Sequence, residues 1–573
     1  MKAKTILKAI GTVFLAQAIW GSGPAYAGGM SPDLEQQADA YPNSNSLKKV
    51  IVQGDGSATL ESIMRAVGGK KHKDLPSIGA ASIDVPFKQL HKLAKTKGVA
   101  WVSPDRQLSS LWDERVAATG ADQVWVSPGV KGTGVRVAVL DTGVYANTSE
   151  WNTPGSAGNR IAHFKDFVNN QTQPYDDHGH GTHVAGIVLG GGSASTGKFK
   201  GIAPSAQLVA CKVMDGNGCG QVSTVITALD WCVANKTALG IKVLNLSLGG
   251  KPGESYTTDP LCAAVRRAVA SGIVVVCSAG NNGKDSAGVL KYGGIVSPGN
   301  EPSVITVGAA NTFGTVGRGD DGICTFSSRG PTLFDRVTKP DVCAPGNKVV
   351  SVRSPGSTLD VNYPANNVAP LLYGSLALNA EYTTLSGTSM AAPVVAGVAA
   401  LMLQVNPHLK PATVKGFMMF SAQKLSLTDA LGMPLAPGIS VLHQGAGEVN
   451  AVGAVQLADV ADTTAALGSR WLKRALDKNT LIGGALAPWS NSILYKNQVI
   501  WGDNLLDVRQ VIWGDQVIWG DQVIWGDQVI WGDDGVATEE GTWANELLWA
   551  NGALQGDSST YTDSVINNVI WGD

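Results

Sequence analysis

Charge is scarce in this sequence. Asp, Glu, Lys and Arg make up 16% of 573 residues and nearly cancel, leaving a formal −2 at pH 7. Without a basic surplus there is no case for nucleic acid as a partner. The seven cysteines, at 211, 219, 232, 262, 277, 324 and 343, contain no Cys-x-x-Cys, so the usual zinc spacing is missing. Past the N-terminus no uninterrupted apolar run reaches roughly 18 residues, the length that reads as a membrane-spanning helix. Asp-Thr-Gly occurs once, at 141–143, and Asp-Ser-Gly does not occur. An aspartic protease needs two such carboxylates sharing one site, and this chain does not supply them.

Glycine is abundant, at 70 residues, and the apolar fraction is 44%. That composition suits a large, loop-rich globular enzyme of about three or four domains. Lys2, Lys4 and Lys8 precede an apolar core at 9–20, and Ala25-Tyr26-Ala27 is a small-x-small cleavage site. Residues 1–27 read as a secretory signal peptide cut before Gly28, which predicts a soluble, secreted protein. An oxidising compartment permits disulfides. Cys219–Cys262 and Cys324–Cys343 are candidate pairs, and the odd count leaves a thiol over. Cys211 and Cys277 lie in apolar strand-like runs and read as buried and unreactive.

Residues 28–47 are polar. Strand patterns at 48–52, 80–85 and 99–102 and helical patterns at 60–67 and 87–97 predict a small ferredoxin-like α+β unit. Gly-Gly-Lys-Lys-His-Lys, at 68–73, reads as a loop within it. From about 115 to 455 the pattern changes. Apolar runs at 135–140, 208–213, 243–248, 273–277 and 303–307 alternate with helical patterns at 181–188, 222–234 and 261–270. This predicts an α/β fold with a mostly parallel, doubly wound sheet covered on both faces. In such sheets the working residues gather at the carboxyl ends of strands.

Three places carry reactive side chains. Asp141 directly follows a strand. His178, His180 and His183 cluster where a loop enters a helix. Ser389 lies in Leu-Ser-Gly-Thr-Ser-Met-Ala-Ala-Pro, at 385–393, a tight turn feeding an apolar helix. The first N–H groups of a helix lack internal partners and favour negative charge in front of them. A nucleophilic serine needs an imidazole to take its proton, and the imidazole needs a carboxylate to hold its tautomer. The order Asp, His, Ser is one of the known orders for that machine. Each piece alone has a plainer reading: an N-cap serine, a structural or surface histidine, or a metal cluster of three histidines.

Together these segments resemble the subtilisin-like serine proteases, the subtilases. The likeness rests on Val-Ala-Val-Leu-Asp-Thr-Gly (137–143), His-Gly-Thr-His-Val-Ala-Gly (180–186) and Ser-Gly-Thr-Ser-Met-Ala-Ala-Pro (386–393). It extends to Gly-Ile-Ala-Pro (201–204), Asn-Leu-Ser-Leu-Gly-Gly (245–250) and Ala-Gly-Asn (279–281). The resemblance implies that Asp141 orients the base, His180 is the base, and Ser389 is the nucleophile, with His178 and His183 outside the chemistry. It implies that Asn281 and the Ser389 N–H form the oxyanion hole. Ser247, Leu248 and Gly249 on one side, and Gly218, Cys219 and Gly220 on the other, would pair with an extended polypeptide substrate. Backbone pairing reads no side chains and so gives broad specificity. The uncharged wall near Asn282 and 294–297 suits neutral or apolar side chains before the cut.

The resemblance implies no cofactor for the chemistry and no catalytic metal. The loop 189–201 resembles the place where many subtilases bind structural calcium, but here it has no Asn or Asp, so calcium is unsupported. The 48–107 unit stands where subtilases carry an inhibitory pro-domain. The chain's own N-terminal domain would then be its intramolecular inhibitor, with self-cleavage between Pro104 and Glu114. Residues 354–382 form an extra loop before the serine. The expected organisation is a signal peptide (1–27), a pro-domain (28–110), a catalytic domain (111–455) and a tail (456–573).

The tail repeats a six-residue unit, Gln-Val-Ile-Trp-Gly-Asp. It begins at 498, fills 510–533 with four exact copies, and recurs in part at 569–573. From 496 onward there are 13 acidic residues against 2 basic, a net of −11, which leaves about +9 on the remainder. An even period presents the same face in every copy of an extended chain. Three readings stay open: a stacked solenoid or hairpin series, disorder with sticky apolar clusters, or attachment to a cell surface or polysaccharide. The expectation is a secreted serine endopeptidase made as a self-processed precursor. The alternative is an inactive protease-like protein that binds a surface through its Trp-rich tail.

Overall fold

The computed structural model describes residues 29–501, apart from 32–33, 36–37, 40–41, 106–113, 153–157, 286, 430–432, 466–471 and 496–497. The signal-peptide region, most of the expected cleavage segment and the repeats beyond 501 lie outside the described residues. The chain forms two compact units, one from residues up to 108 with 428–435, the other from 109–427 and 436 onward.

In the first unit, β1 (Leu47–Gly54), β2 (Lys70–Leu75), β3 (Ala80–Pro86) and β4 (Val99–Pro104) form an antiparallel sheet in the order β2-β3-β1-β4. Helices Leu60–Val67 and Leu90–Ala94 cover one face and close a core around Val50, Val52, Ile63, Ile83, Leu90 and Val102. This is the ferredoxin-like arrangement. One element differs from the expectation: the Lys-rich stretch read as a loop is strand β2, paired along β3. It is an exposed edge strand. A strand with no buried face shows no apolar alternation, and edge lysines are what keep such strands from pairing with other chains.

The second unit is built on a sheet in the order β11-β10-β9-β8-β5-β7-β6, with β12 also paired to β10. Its strands are β5 (Arg136–Asp141), β6 (Ile161–Asp166), β7 (Gln207–Lys212), β8 (Ile241–Leu246), β9 (Val274–Ser278), β10 (Ile305–Asn311), β11 (Gly322–Ile323) and β12 (Val342–Pro345). All pairings are parallel except β10 with β11. Alternate residues of each strand enter opposite cores. Val137 and Val139 face one, with helices His180–Leu189, Thr388–Val405, Pro411–Ser421 and Ala451–Val460. Ala138 and Leu140 face the other, with helices Val222–Leu239 and Pro260–Ala270. Burial on both sides explains why these strands read as continuous apolar runs.

The helix Thr388–Val405 is long and apolar enough to cross a membrane, yet 83% of it is buried inside this unit. It is a core helix. The unit also runs past residue 455. Leu457, Val460, Leu472, Trp489 and Leu494 belong to the same core. The Trp489 ring meets Phe420 edge-on, and its Nε1–H donates to Thr480 Oγ1 at 2.8 Å. The first copy of the repeat forms the strand Gln498–Trp501, paired antiparallel to Ser492–Tyr495. None of the seven cysteines is disulfide-bonded. Cys219 is exposed and the other six are buried, so neither candidate pair forms. Cys211 and Cys277 are buried as expected, and burial pushes the Cys277 thiol up to about 12.

Candidate active site

Chain order decides where the site falls. From β5 the chain crosses to the edge strand β6, comes back to β7 beside β5, and then passes to β8 on the other side of β5. The crevice at the carboxyl end of β5 is therefore the switch point of the sheet, where ligands bind in open α/β folds. Asp141 ends β5. The loop carrying Gly218, Cys219 and Gly220 follows β7, and Ser247, Leu248 and Gly249 follow β8. Both candidate substrate-pairing segments thus flank Asp141.

Asp141 is 1% exposed. Its Oδ1 accepts the Thr142 N–H at 2.8 Å and lies 2.7 Å from His180 Nδ1. A carboxylate only accepts, so the proton must sit on Nδ1, and Nε2 keeps its lone pair. Burial disfavours the imidazolium, but the charge and hydrogen bond of Asp141, with the charge of Asp176, outweigh it and raise the His180 pKa. The other two histidines differ. His183 is fully buried, with Nε2 against the carbonyls of Val349 and Thr383 at 3.1 and 3.2 Å. Burial, Arg115 and His180 push it down to about 3, so it stays neutral. His178 is half-buried and lowered mainly by burial. Of the three, His180 alone bonds a carboxylate.

Close approach of two backbones makes the Asp141–His180 contact. A Cβ on Gly181 would sit 2.3 Å from the Gly143 carbonyl oxygen. Only glycine lets the histidine helix start against the aspartate turn. Two side chains that the sequence reading passed over hold the same junction. Asp176, 6% exposed, accepts from Thr142 Oγ1 at 2.8 Å, from Gly179 N–H at 2.8 Å and from Thr182 N–H at 2.8 Å. Lys212, fully buried, donates to the carbonyls of Thr142 and Met214 and to Asp177 Oδ1, at 2.7, 2.9 and 2.6 Å. The doubled Asp in Asp-Asp-His-Gly-His was the available signal for Asp176. A lysine inside an apolar strand was the signal for Lys212.

Ser389 sits in the first turn of its helix, half-buried. Its Oγ donates to the Ser247 carbonyl at 3.2 Å, and Ser247 Oγ donates back to the Ser389 carbonyl at 2.8 Å. No hydrogen bond joins Ser389 to His180 in this state, among the described residues. Asn281 is fixed more firmly. Its Oδ1 accepts both the N–H and the hydroxyl of Thr388, each at 3.0 Å. A backbone N–H can only donate, so the amide orientation is forced and Nδ2 is left as the free donor. Nδ2 stands 3.4 Å from where a Cβ on Gly387 would sit, at the entrance of the serine helix. The sequence reading found Asn281 but not Thr388, which aims it.

Structural calcium at the loop 189–201 would need free oxygen ligands. Both Glu150 oxygens are engaged: Oε2 accepts the Gly192 N–H at 2.6 Å, and Oε1 accepts the Ala194 N–H at 2.8 Å and the Tyr382 hydroxyl. The Arg160 guanidinium, 2% exposed, donates to the carbonyls of Leu189, Ala206, Glu150 and Asn152. Oxygens that a cation would need already hold N–H groups, and a fixed positive charge lies among them. The residues present do not fit calcium at this loop. The extra loop 354–382 packs beside the histidine: Thr358 and Leu359 N–H donate to the Asp177 and His178 carbonyls at 2.9 and 3.0 Å.

A parallel, doubly wound sheet with this crevice and these side chains defines a protein of the subtilisin-like α/β class. The chain belongs to the subtilase family, whose profile matches residues 132–447, more than half of the sequence. It is 39% identical to serine protease AprX of Bacillus subtilis (strain 168) over 386 residues, 66% of this chain and 79% of that protein. It is 34% identical to subtilisin E of the same strain over 392 residues, 66% of this chain and 86% of that protein. Among solved structures, fervidolysin from Fervidobacterium pennivorans, a keratinolytic enzyme related to subtilisin, is 26% identical, with a TM-score of 0.44, over 72% of this chain and 61% of that one. The protein is a subtilisin-like serine protease.

Proposed function

We propose that this protein is a secreted serine endopeptidase that cuts polypeptides through Asp141, His180 and Ser389 and is made as a self-processed precursor. The observation that carries the reading is the 2.7 Å contact between His180 Nδ1 and buried Asp141, which leaves Nε2 basic. For attack, the Ser389 hydroxyl must leave the Ser247 carbonyl and donate to Nε2 instead. Oγ then attacks the substrate carbonyl while its proton passes to His180. Asn281 Nδ2 and the Ser389 N–H receive the oxyanion; losing one such donor typically costs about 100–1,000-fold in turnover. The amine leaves with the proton from His180, and water repeats the sequence on the acyl-enzyme. No cofactor takes part in these steps.

The segments 247–249 and 218–220 grip the peptide by its backbone, which supports broad specificity. The pattern at 1–27 supports export, and the ferredoxin-like unit supports a pro-domain removed by the enzyme itself. The test is digestion of casein by the wild type beside Ser389→Ala. The variant should lose measurable activity and should accumulate with residues 28–110 still attached, as read by mass spectrometry. Equal digestion by both would remove the assignment. It would also revive the inactive surface-binding alternative for the tail.

A further inference from the structure

We infer that Thr358, in the extra loop before the serine, is a positioning residue that couples the segment gripping the substrate to the loop carrying the base. The inference rests on the protease reading above. That reading asks two separate pieces of chain to act together. Residues 218–220 hold the peptide by its backbone, while Asp177 and His178 run directly into His180. A displacement of about 1 Å between substrate and catalytic group can cost about 100-fold in rate, so a bond that ties these two pieces together matters for turnover.

Thr358 makes that bond. It opens the short helix Thr358–Asn362 and is half-buried. Its N–H donates to the Asp177 carbonyl at 2.9 Å, and the Leu359 N–H donates to the His178 carbonyl at 3.0 Å. The first N–H groups of a helix have no partner within it, so they are available for this. The Thr358 hydroxyl has one proton to give. It lies 2.6 Å from the Gly216 carbonyl and 3.3 Å from that of Asp177, so it donates to Gly216. Gly216 belongs to a tight turn. Asp215 N–H donates to the Cys219 carbonyl at 2.8 Å, and Gly218 N–H donates to the Asp215 carbonyl at 3.0 Å. What holds Gly216 therefore holds Gly218 and Cys219. The loop also rests directly on the histidine turn, since a Cβ on Gly179 would lie 2.5 Å from Ser357 Oγ. Thr358 is itself kept in place by its neighbours. Asp360 accepts Arg353 Nε and Nη2 at 2.6 and 2.7 Å, Asn367 Nδ2 at 2.7 Å and the Gly356 N–H at 2.8 Å. Ser354 Oγ donates to the Asp176 carbonyl at 2.8 Å.

The test uses the processed enzyme and two substrates: a peptide p-nitroanilide long enough to pair along 218–220, and p-nitrophenyl acetate, an ester too small to reach that segment. Thr358→Val keeps the branched shape and the N–H and removes only the hydroxyl. Thr358→Ala removes it without bulk, and Thr358→Ser keeps it. The Val and Ala variants should lower the peptide/ester ratio of kcat/KM about 3–10-fold, the effect of one hydrogen bond, chiefly through a higher KM for the peptide. The Ser variant should restore the wild-type ratio. A ratio unmoved in both variants, including an equal loss on the two substrates, or one that Ser does not restore, shows a merely structural residue. Either result overturns the inference and leaves the protease reading intact. A wild type that does not cleave the peptide overturns both.

Discussion

An imidazole next to a buried carboxylate keeps its proton more tightly than one in water, and that fixes the pH range of the enzyme. As the proposed base, His180 can act only when Nε2 is unprotonated. Its pKa is raised because Asp141 and Asp176 outweigh the cost of burying the charge. The activity that depends on it should therefore fall, as pH drops, at a value above the ordinary histidine pKa of about 6.5. Replacing Asp176 by Asn removes a negative charge that stabilises the imidazolium, so the His180 pKa falls. The acid limb of kcat/KM should then move to lower pH, even if the maximum rate also drops. A limb that stays in place would show that Asp176 acts only by holding the loop. At this scale Asp141, His180, Ser389 and Asn281 were legible, because each sits in a motif that continues along the chain. Thr388, Asp176 and Lys212 were not. Their work is to point other side chains, and that depends on partners 34 to 107 positions away.

Elements carry the next level of organisation. The helix His180–Leu189 runs into the loop 189–201, and this loop is held by Glu150 and Arg160 from the β5–β6 connection. Removing Arg160 would leave several buried carbonyls unpaired, at about 1–3 kcal/mol each. Arg160→Met should lower Tm measurably in a thermal melt, and added calcium should not restore it. The wild-type Tm should be the same with and without EDTA. Full rescue of the variant by calcium would show that the loop is a cation site after all. The loop's own sequence does not reveal what holds it, since Glu150 and Arg160 lie 42 and 29 positions before their partners Gly192 and Leu189. Strand β2 escaped for a related reason: an edge strand with both faces in water has no apolar period to read.

For the whole molecule, the boundary of the catalytic unit matters most. Composition changes after about 455, but the core does not end there. Leu457, Val460, Leu472, Trp489 and Leu494 pack into it, and Trp489 is 4% exposed. Losing one such aromatic typically costs about 3–5 kcal/mol. A chain ending at 455 should therefore be insoluble or inactive, whereas one ending at 501 should fold and digest casein as the full chain does. Expression of both, with melting curves and activity, checks this. Equal failure would mean that the repeats beyond 501 are needed for the fold. Sequence by itself determined the α/β class and the mostly parallel sheet, and its motifs marked Asp141, His180, Asn281 and Ser389 as candidates, because period, turn chemistry and contiguous motifs are local properties of the chain. Tertiary structure alone decided that Asp176 and Lys212 hold the aspartate–histidine junction, that all seven thiols stay free, and that the core runs past residue 455. Those outcomes depend on contacts between residues distant in the chain, and no local pattern records such contacts.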